Sequence, residues 1–283
     1  MATTGTIESV ELHGLPALAL TSRDGARAVV GLFGAQVLSW QPAGGKEWLY
    51  LSDRAIFDRN TPIRGGVPVC FPQFAGLGPL AKHGFARLRP WAPGQQRLEP
   101  DFTLASLQLA PTPTDLAAWP HPFEAELTIS LGGDRLDLEL EVRNTGEAPL
   151  AFTGALHTYL RVAEVEEATL TGLHGLTYLN CATDGQARRE TGDVLRVDQE
   201  VDRIYRHVAR PLLLRDGNRA LGIRAEGFPD VVVWNPWEER CAALADMPRN
   251  GFRHMLCVEA AATEPVTIAP GEDWWGRQTL VAL

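Results

Sequence analysis

Apolar and polar residues alternate along much of the chain with the two-residue period of a β-strand. The clearest case is AELTISLGGDRLDLELEVRN, residues 125–144, where two alternating runs flank the tripeptide Gly-Gly-Asp at 132–134. This pattern predicts two antiparallel strands joined by a short turn, with one face of each strand against the core. The residues expected on that face are Leu127, Ile129, Leu131, Leu136, Leu138, Leu140 and Val142.

Further strand candidates are spread over the whole chain, whereas no long segment has the 3.6-residue period of a helix. The helical exception is SDRAIFDR, residues 52–59, which has the composition of a single helical turn. The 27 glycines and 20 prolines are distributed throughout and mark frequent turns. We therefore predict an all-β protein, a large antiparallel β-sandwich that forms one domain over residues 1–283. The other strand candidates are VELHGLPALAL, RAVVGLFGAQVLSW, FTLASLQLA, DVVVWN, MLCVEAA and TLVAL.

Composition excludes several classes of function. A net charge of −9 argues against general binding to nucleic acid or to an anionic membrane surface. The chain has neither a basic-then-apolar leader near its start nor an apolar run of about 18 residues, so we expect a cytoplasmic protein that does not span a membrane. The four cysteines, Cys70, Cys181, Cys241 and Cys257, are widely spaced, and we expect buried reduced thiols without a disulfide or a metal site.

A basic segment interrupts this acidic chain. Between residues 54 and 97 there are seven basic residues and a single acidic one, Asp58. Arginine matches phosphate and carboxylate oxygens with a planar fork, and lysine adds a point charge, so the segment suits a small anionic ligand better than a polymer, and a solvated charged loop is the alternative. Prolines 68 and 72 are expected to stiffen the loop, and glycines 65 and 66 to let its backbone approach the ligand. The basic residues are Arg54, Arg59, Arg64, Lys82, Arg87, Arg89 and Arg97.

Two further residues are candidates for acid–base chemistry. In AFTGALHTYLR, residues 151–161, a strand would place bulky Phe152, Leu156 and Leu160 on one face. The other face would be small except for His157 and Tyr159, as expected where a sheet lines a cleft. Glu259 is the only charged residue between positions 255 and 262, and burial would raise its pKa towards the range of a general base. A structural histidine and an ion-paired glutamate are the alternatives. The chain lacks the phosphate-loop, dinucleotide, zinc-protease, serine-hydrolase and EF-hand motifs.

Several motifs together resemble the glucose-6-phosphate 1-epimerases, also called hexose-6-phosphate mutarotases, of the galactose-mutarotase-like superfamily. They occur in that family's order and run from about residue 35 to 259. One departure is CVEAAAT, because relatives commonly have a proline soon after the glutamate. The motifs are GAQVLSWQPAGGKEWLYLS, IRGGVPVCFPQF, HGFARLRPW, GALHTYLRV, DRIY, WNPW and CVEAA.

The resemblance implies a β-supersandwich enzyme that interconverts the α and β anomers of an aldohexose 6-phosphate. By the same resemblance, His157 and Glu259 match the catalytic pair. The implied substrate-binding residues are Arg64, Lys82, His83, Arg87 and Asp202, with His83 supporting or sharing the acid role.

Anomerisation itself requires a base at the C1 hydroxyl and an acid at the ring oxygen, so a carboxylate and an imidazolium suffice. We therefore expect no cofactor and no metal, a sugar phosphate as the only small-molecule partner, and a monomer. Two alternatives stay open: a carbohydrate-binding or regulatory protein without turnover, and a mutarotase of unphosphorylated aldoses. Glycoside hydrolysis is disfavoured because only one carboxylate is a firm candidate, whereas that reaction uses two.

Overall fold

The computed structural model describes residues 4–283, and within them the chain is built almost entirely of β-strands. Numbered along the chain, the first seven strands are β1 Thr6–Leu12, β2 Leu15–Thr21, β3 Arg27–Gly31, β4 Val37–Gln41, β5 Val69–Cys70, β6 Ala92–Leu98 and β7 Thr103–Leu109. The next seven are β8 Phe123–Gly132, β9 Arg135–Asn144, β10 Leu150–Leu156, β11 Tyr159–Arg161, β12 Thr169–Thr171, β13 Thr177–Asn180 and β14 Ala187–Arg189. The last seven are β15 Val194–Leu195, β16 Val201–Tyr205, β17 Leu212–Asp216, β18 Arg219–Glu226, β19 Asp230–Asn235, β20 Met255–Ile268 and β21 Asp273–Ala282.

The strands form three antiparallel sheets. Strands β1 to β4 make a four-stranded meander, and a nine-stranded sheet has the order β15-β12-β17-β18-β21-β9-β8-β7-β6. An eight-stranded sheet has the order β14-β13-β16-β19-β20-β10-β5, and β11 pairs with β20 beside this path. Core-facing residues of the eight- and nine-stranded sheets belong to one apolar cluster, so the two sheets pack face to face. The predicted antiparallel β-sandwich is confirmed.

The hairpin predicted around residues 132–134 is present as β8 and β9. Its alternation is borne out, because each of the seven residues expected on the core face is at most 1% exposed. The turn at Gly132-Gly133-Asp134 lets the strands pair in register from Phe123 opposite Asn144 to Gly132 opposite Arg135.

Three local expectations need correction. VELHGLPALAL is two strands, because His13 and Gly14 both have positive φ and turn the chain between β1 and β2. RAVVGLFGAQVLSW is likewise divided into β3 and β4. Residues 52–59 form turns and bends instead of a helical turn.

Helices are few and short. The α-helices are α1 Pro113–Ala118 and α2 Trp237–Ala243, and two 3₁₀ turns span Ala86–Leu88 and Gly251–His254. Thr112 caps α1 through a reciprocal capping box with Asp115. In the part of the chain described, no helix has the length and apolar character needed to cross a membrane.

Candidate active site

A cavity of about 270 Å³ opens on the outer face of the eight-stranded sheet. Its floor consists of two neighbouring cross-strand rows, because residues paired in an antiparallel sheet point to the same face. The register of β16, β19 and β20 aligns the members of each row. The residue pairs that β10 and β11 form with β20, on either side of residues 157–158, place His157 opposite Glu259. One row contains Ile204, Val232, Glu259 and His157, and the other contains Asp202, Trp234, Cys257 and Tyr159.

The expected strand over residues 151–161 is interrupted at this point. Strand β10 ends at Leu156 and β11 begins at Tyr159, so His157 and Thr158 lie in a short break. The predicted division of the faces is nevertheless found, since Phe152 and Leu160 lie in the main core while His157 and Tyr159 line the cavity.

The wall of the cavity comes from the loop region between β4 and β6, which also contains the two-residue strand β5. Arg64, Lys82, His83 and Arg87 of this region line the cavity together with the floor residues other than Cys257. All seven site residues nominated from the sequence therefore lie around one cavity, although they span almost 200 positions of the chain.

The basic segment is divided in the fold. Arg54, Arg59 and Arg97 are exposed outside the cavity, and Arg89 pairs with Asp115 on α1. Only three of its seven cations line the cavity.

The paired glycines do not serve the role expected from the sequence. A side chain at Gly65 would lie 2.4 Å from the Tyr50 carbonyl oxygen, and one at Gly66 would lie 2.2 Å from the Val37 carbonyl oxygen. Both have positive φ. They are needed because the loop packs against the protein's own strands, not because its backbone approaches a ligand.

The Arg64 guanidinium is held from two sides. Its Nε donates to Asp246 Oδ2 at 3.1 Å, and its Nη1 donates to the Tyr159 hydroxyl at 2.9 Å. The Gln36 amide donates to the carbonyl oxygens of Ile63 and Gly65 and fixes the backbone on either side. The guanidinium is thus oriented before any ligand binds.

Arg87 retains unused hydrogen-bonding capacity. Its Nη2 donates to the Lys82 carbonyl oxygen at 2.8 Å, whereas its buried Nε has no partner. Burial and the positive charges of Arg240 and Arg87 lower the pKa of Lys82, although the carboxylates of Asp202 and Glu259 oppose the shift. Cations that repel one another in this way favour an anion between them.

His157 and Glu259 form a buried pair, with His157 Nδ1 3.4 Å from Glu259 Oε1. Burial, with the Asp202 charge, raises the pKa of Glu259 well above its ordinary value, against the opposing effect of Lys82. Burial lowers the pKa of His157 well below its ordinary value, helped by His83, Arg87, Arg64 and Lys82. In the empty cavity both shifts favour the uncharged forms.

His83 is held as a neutral imidazole. Its Nδ1 accepts the Ala75 backbone N–H at 3.2 Å, so the ring proton lies on Nε2. Burial, with the charges of Arg87, Lys82 and Arg64, lowers the pKa of His83 to about 3. Its ring centroid is 5.4 Å from that of His157, which places a neutral donor beside the buried pair.

The floor also brings a thiol beside the pair. One donor atom each from His157, Cys257 and Glu259 lie within 4.8 Å of one another, and all three residues are buried. The four cysteines are free, and three of them are buried as expected. Cys181 is exposed at the cavity and contradicts the prediction that all four are buried.

Sequence reasoning missed Asp246 as part of the site. It lies in a turn after α2, and its backbone carbonyl accepts the Ser52 hydroxyl at 2.7 Å. No alternation or motif marks this position, and only the fold brings it to Arg64 across 182 residues.

Comparison with known proteins agrees with this architecture. The family model described as aldose 1-epimerase matches residues 16–280. A relative from Cenchrus ciliaris, provisionally named a glucose-6-phosphate 1-epimerase, is 38% identical over 95% of this chain and 85% of its own. An Escherichia coli K12 protein with the same provisional name is 32% identical over 85% of this chain and 82% of its own.

Solved structures give the same result. A provisionally assigned mutarotase from Salmonella typhimurium has a TM-score of 0.90 at 27% identity, covering 98% of this chain and 93% of that one. A galactose 1-epimerase from Lactobacillus acidophilus has a TM-score of 0.76 at 14% identity over 99% of both chains, which shows a shared fold. The chain has the galactose mutarotase-like fold and is an isomerase that belongs to the aldose 1-epimerase family.

Proposed function

We propose that this protein interconverts the α and β anomers of an aldohexose 6-phosphate, with glucose 6-phosphate as the preferred substrate. The observation that carries the proposal is a buried His157–Glu259 pair in the same cavity as three cations. The names of the Cenchrus ciliaris and Escherichia coli relatives, both given as glucose-6-phosphate 1-epimerase, support the choice of substrate.

The cations suit a phosphate at one end of the sugar. Arg64 is already oriented by Asp246 and Tyr159, and Arg87 has a buried Nε without a partner. An unphosphorylated aldose offers no charge to offset Lys82 and Arg87, which have no carboxylate partner among the described residues of the kind that Asp246 provides for Arg64, so its binding would be weaker. Asp202 and the neutral N–H of His83 are then available to sugar hydroxyl groups.

The acid–base cycle needs one transferable proton in the pair. Glu259 takes the proton of the C1 hydroxyl while His157 gives one to the ring oxygen, and the C1–O5 bond breaks to leave an aldehyde. Rotation about C1–C2 presents the other face of the carbonyl. The O5 hydroxyl then attacks C1, His157 recovers its proton, and Glu259 returns one to O1.

Substrate binding favours the imidazolium form of His157 that this cycle uses. The positive charges of Arg64, Lys82 and Arg87 contribute to the low pKa of His157. A bound phosphate would offset them and raise the pKa of the imidazole towards its ordinary value. With the uncharged pair, the same cycle runs with the roles exchanged, because His157 then accepts the proton of O1 and Glu259 supplies the proton to O5.

The test is the anomerisation of freshly dissolved α-glucose 6-phosphate, followed with a dehydrogenase that consumes only the β anomer. We expect acceleration by the wild type, its loss in Glu259→Gln, and slower turnover of glucose. Glu264→Gln is the matched control, because this exposed glutamate lies on the same strand and pairs with Arg206 outside the cavity. Binding without acceleration for any aldohexose phosphate would instead indicate a carbohydrate-binding protein, and equal turnover of glucose would indicate an aldose mutarotase.

A further inference from the structure

The floor of the cavity holds three side chains of types that bind transition metals. His157, Cys257 and Glu259 are buried, and their donor atoms lie within 4.8 Å of one another. Imidazole, thiolate and carboxylate together are a donor set that suits Zn²⁺, which takes nitrogen, sulfur and oxygen ligands in tetrahedral geometry. Bond lengths of about 2.0–2.3 Å place such ligand atoms about 3.3–3.6 Å apart.

The present geometry is close to that requirement. His157 Nδ1 and Glu259 Oε1 are already 3.4 Å apart, and the Cys257 thiol lies within 4.8 Å of a donor atom of each. Cys257 lies between Tyr159 and Trp234 in the row next to that of Glu259. Strand β20 therefore fixes the backbone of Cys257 and Glu259, and the paired residues on either side of the break hold His157 opposite Glu259, so rotation of the Cys257 side chain is the adjustment required.

Unpartnered donor atoms in this group are a second observation that favours a metal ligand. His157 Nδ1 and Glu259 Oε2 are buried polar atoms without a hydrogen-bond partner, and their side chains are 10% and 1% exposed. Buried polar atoms in proteins are almost always paired. Two unpaired atoms that face one cluster are atoms that a metal ion would satisfy.

We propose that Zn²⁺ binds His157, Cys257 and Glu259, with its fourth position open to the cavity, and that this binding switches the isomerase off. The ion occupies lone pairs of the two residues that exchange protons with the sugar, and binding releases the protons of the Cys257 thiol and the Glu259 carboxyl group to solvent. The nearby cations Arg64, Lys82 and Arg87 oppose a divalent cation, so the site favours reversible inhibition over a permanent structural metal. The inhibitory effect rests on the proposed function, whereas metal binding does not.

Cobalt provides a readout that is independent of activity. Titrating the intact protein with CoCl₂ should produce a thiolate-to-cobalt charge-transfer band at one equivalent, and ZnCl₂ should abolish the band by competition. Cys257→Ser should lose the band. Cys181→Ser is the matched control and should keep it, because Cys181 is exposed at the cavity and is not part of the donor group.

The anomerisation assay then tests the inhibition. ZnCl₂ should inhibit the wild type reversibly, with activity restored by a chelator and inhibition relieved by higher glucose 6-phosphate. Loss of a direct ligand should weaken inhibition in Cys257→Ser by more than about tenfold, since even outer-shell partners are worth roughly 10–100-fold in metal affinity. Cys257→Ala, with melting temperatures for both variants, separates loss of the ligand from loss of the fold.

The two proposals fail in different ways. An active enzyme without a cobalt band, or with equal zinc inhibition in wild type and in both folded Cys257 variants, would overturn the metal site and leave the proposed function intact. A cobalt band that depends on Cys257 in a protein that isomerises no aldohexose phosphate would overturn the proposed function and the inhibition, while the metal site would stand.

Discussion

Replacing Glu259 and His157 singly and together tests whether they act as one unit. The variants are Glu259→Gln, His157→Asn and the double variant. Glutamine keeps the shape of the buried glutamate but neither accepts nor donates a proton at catalytic rates. Asparagine keeps a polar atom near the position of Nδ1, which is 3.4 Å from Glu259 Oε1 in the wild type.

The expected magnitudes follow from that contact. A positioned acid or base contributes about 10²–10⁴-fold, or about 2.7–5.4 kcal/mol of barrier at 1.36 kcal/mol per tenfold. Independent contributions would multiply to about 10⁴–10⁸-fold in the double variant. Each proton transfer in the cycle requires its counterpart. We therefore expect kcat of the double variant to lie within about tenfold of kcat of the slower single variant.

The assay is kcat for α-glucose 6-phosphate at enzyme concentrations high enough to exceed spontaneous anomerisation, with melting temperatures as a check on folding. Losses that multiply would refute the coupled pair and would indicate two residues with separate roles. A single variant with wild-type kcat would remove that residue from the mechanism altogether.

Three further predictions concern the cavity wall, a partly buried ion pair and a loop contact. Arg87→Ala should lower kcat/KM for glucose 6-phosphate about 10–100-fold and leave that for glucose unchanged, since each hydrogen bond to a charged group is worth about 1.5–3 kcal/mol. Burial raises the pKa of Asp115, but hydrogen bonding, first from Arg89, outweighs burial and lowers it overall. The contribution of Asp115 to stability is therefore present above its unfolded pKa and is lost as the pH falls below about 4. Acid unfolding of Asp115→Asn should therefore depend less on pH in that range. Gly66→Ala should cost about 1–3 kcal/mol of unfolding free energy, because its φ is +60° and its new methyl group would meet the Val37 carbonyl oxygen.

Matched controls separate these effects from general ones. Arg224→Ala removes an exposed arginine outside the cavity and should leave kcat/KM for both sugars unchanged. Gly44→Ala shares the positive φ of Gly66 but has no atom within 4 Å of the added methyl group, so its melting temperature should fall less. An equal fall for both glycine variants would assign the cost to backbone strain alone. Equal losses for glucose and glucose 6-phosphate in Arg87→Ala would mean that this arginine does not recognise a phosphate.

The strands of the sandwich were predictable, because a strand that is buried on one face has apolar residues at every second position. Residues 125–144 contain enough repeats of this alternation to predict a hairpin and its buried face. The turn at His13-Gly14 was missed, since histidine is not a usual turn residue and its positive φ has no compositional signal. The break at His157 was missed for a similar reason, because the residues on both sides continue the alternation.

The candidate site was predictable only in part. Glu259 stands out because a charge in an apolar strand is costly, and this reasoning needs no partner. Arg64 and Arg87 stand out as charges, but nothing local distinguishes them from Arg54 and Arg97, which lie outside the cavity. The resemblance to a known family selected Arg64 and Arg87 among the basic residues. It did not identify Asp246, which only the fold brings to Arg64.

The two halves of the site depend on different parts of the fold, and this separates chemistry from selectivity. His157 and Glu259 face each other through the register of β10, β11 and β20, which the hydrogen bonds of a central sheet hold in place. The cations proposed to bind the phosphate lie instead on the loop region between β4 and β6, where Arg64 is held by one carboxylate and one hydroxyl group. A change in that loop can remove the charges without moving the acid–base pair, whereas a shift of the strand register would abolish the pair whatever the loop contains. Substrate preference within this fold should therefore follow the loop, and the reaction type should follow the sheet.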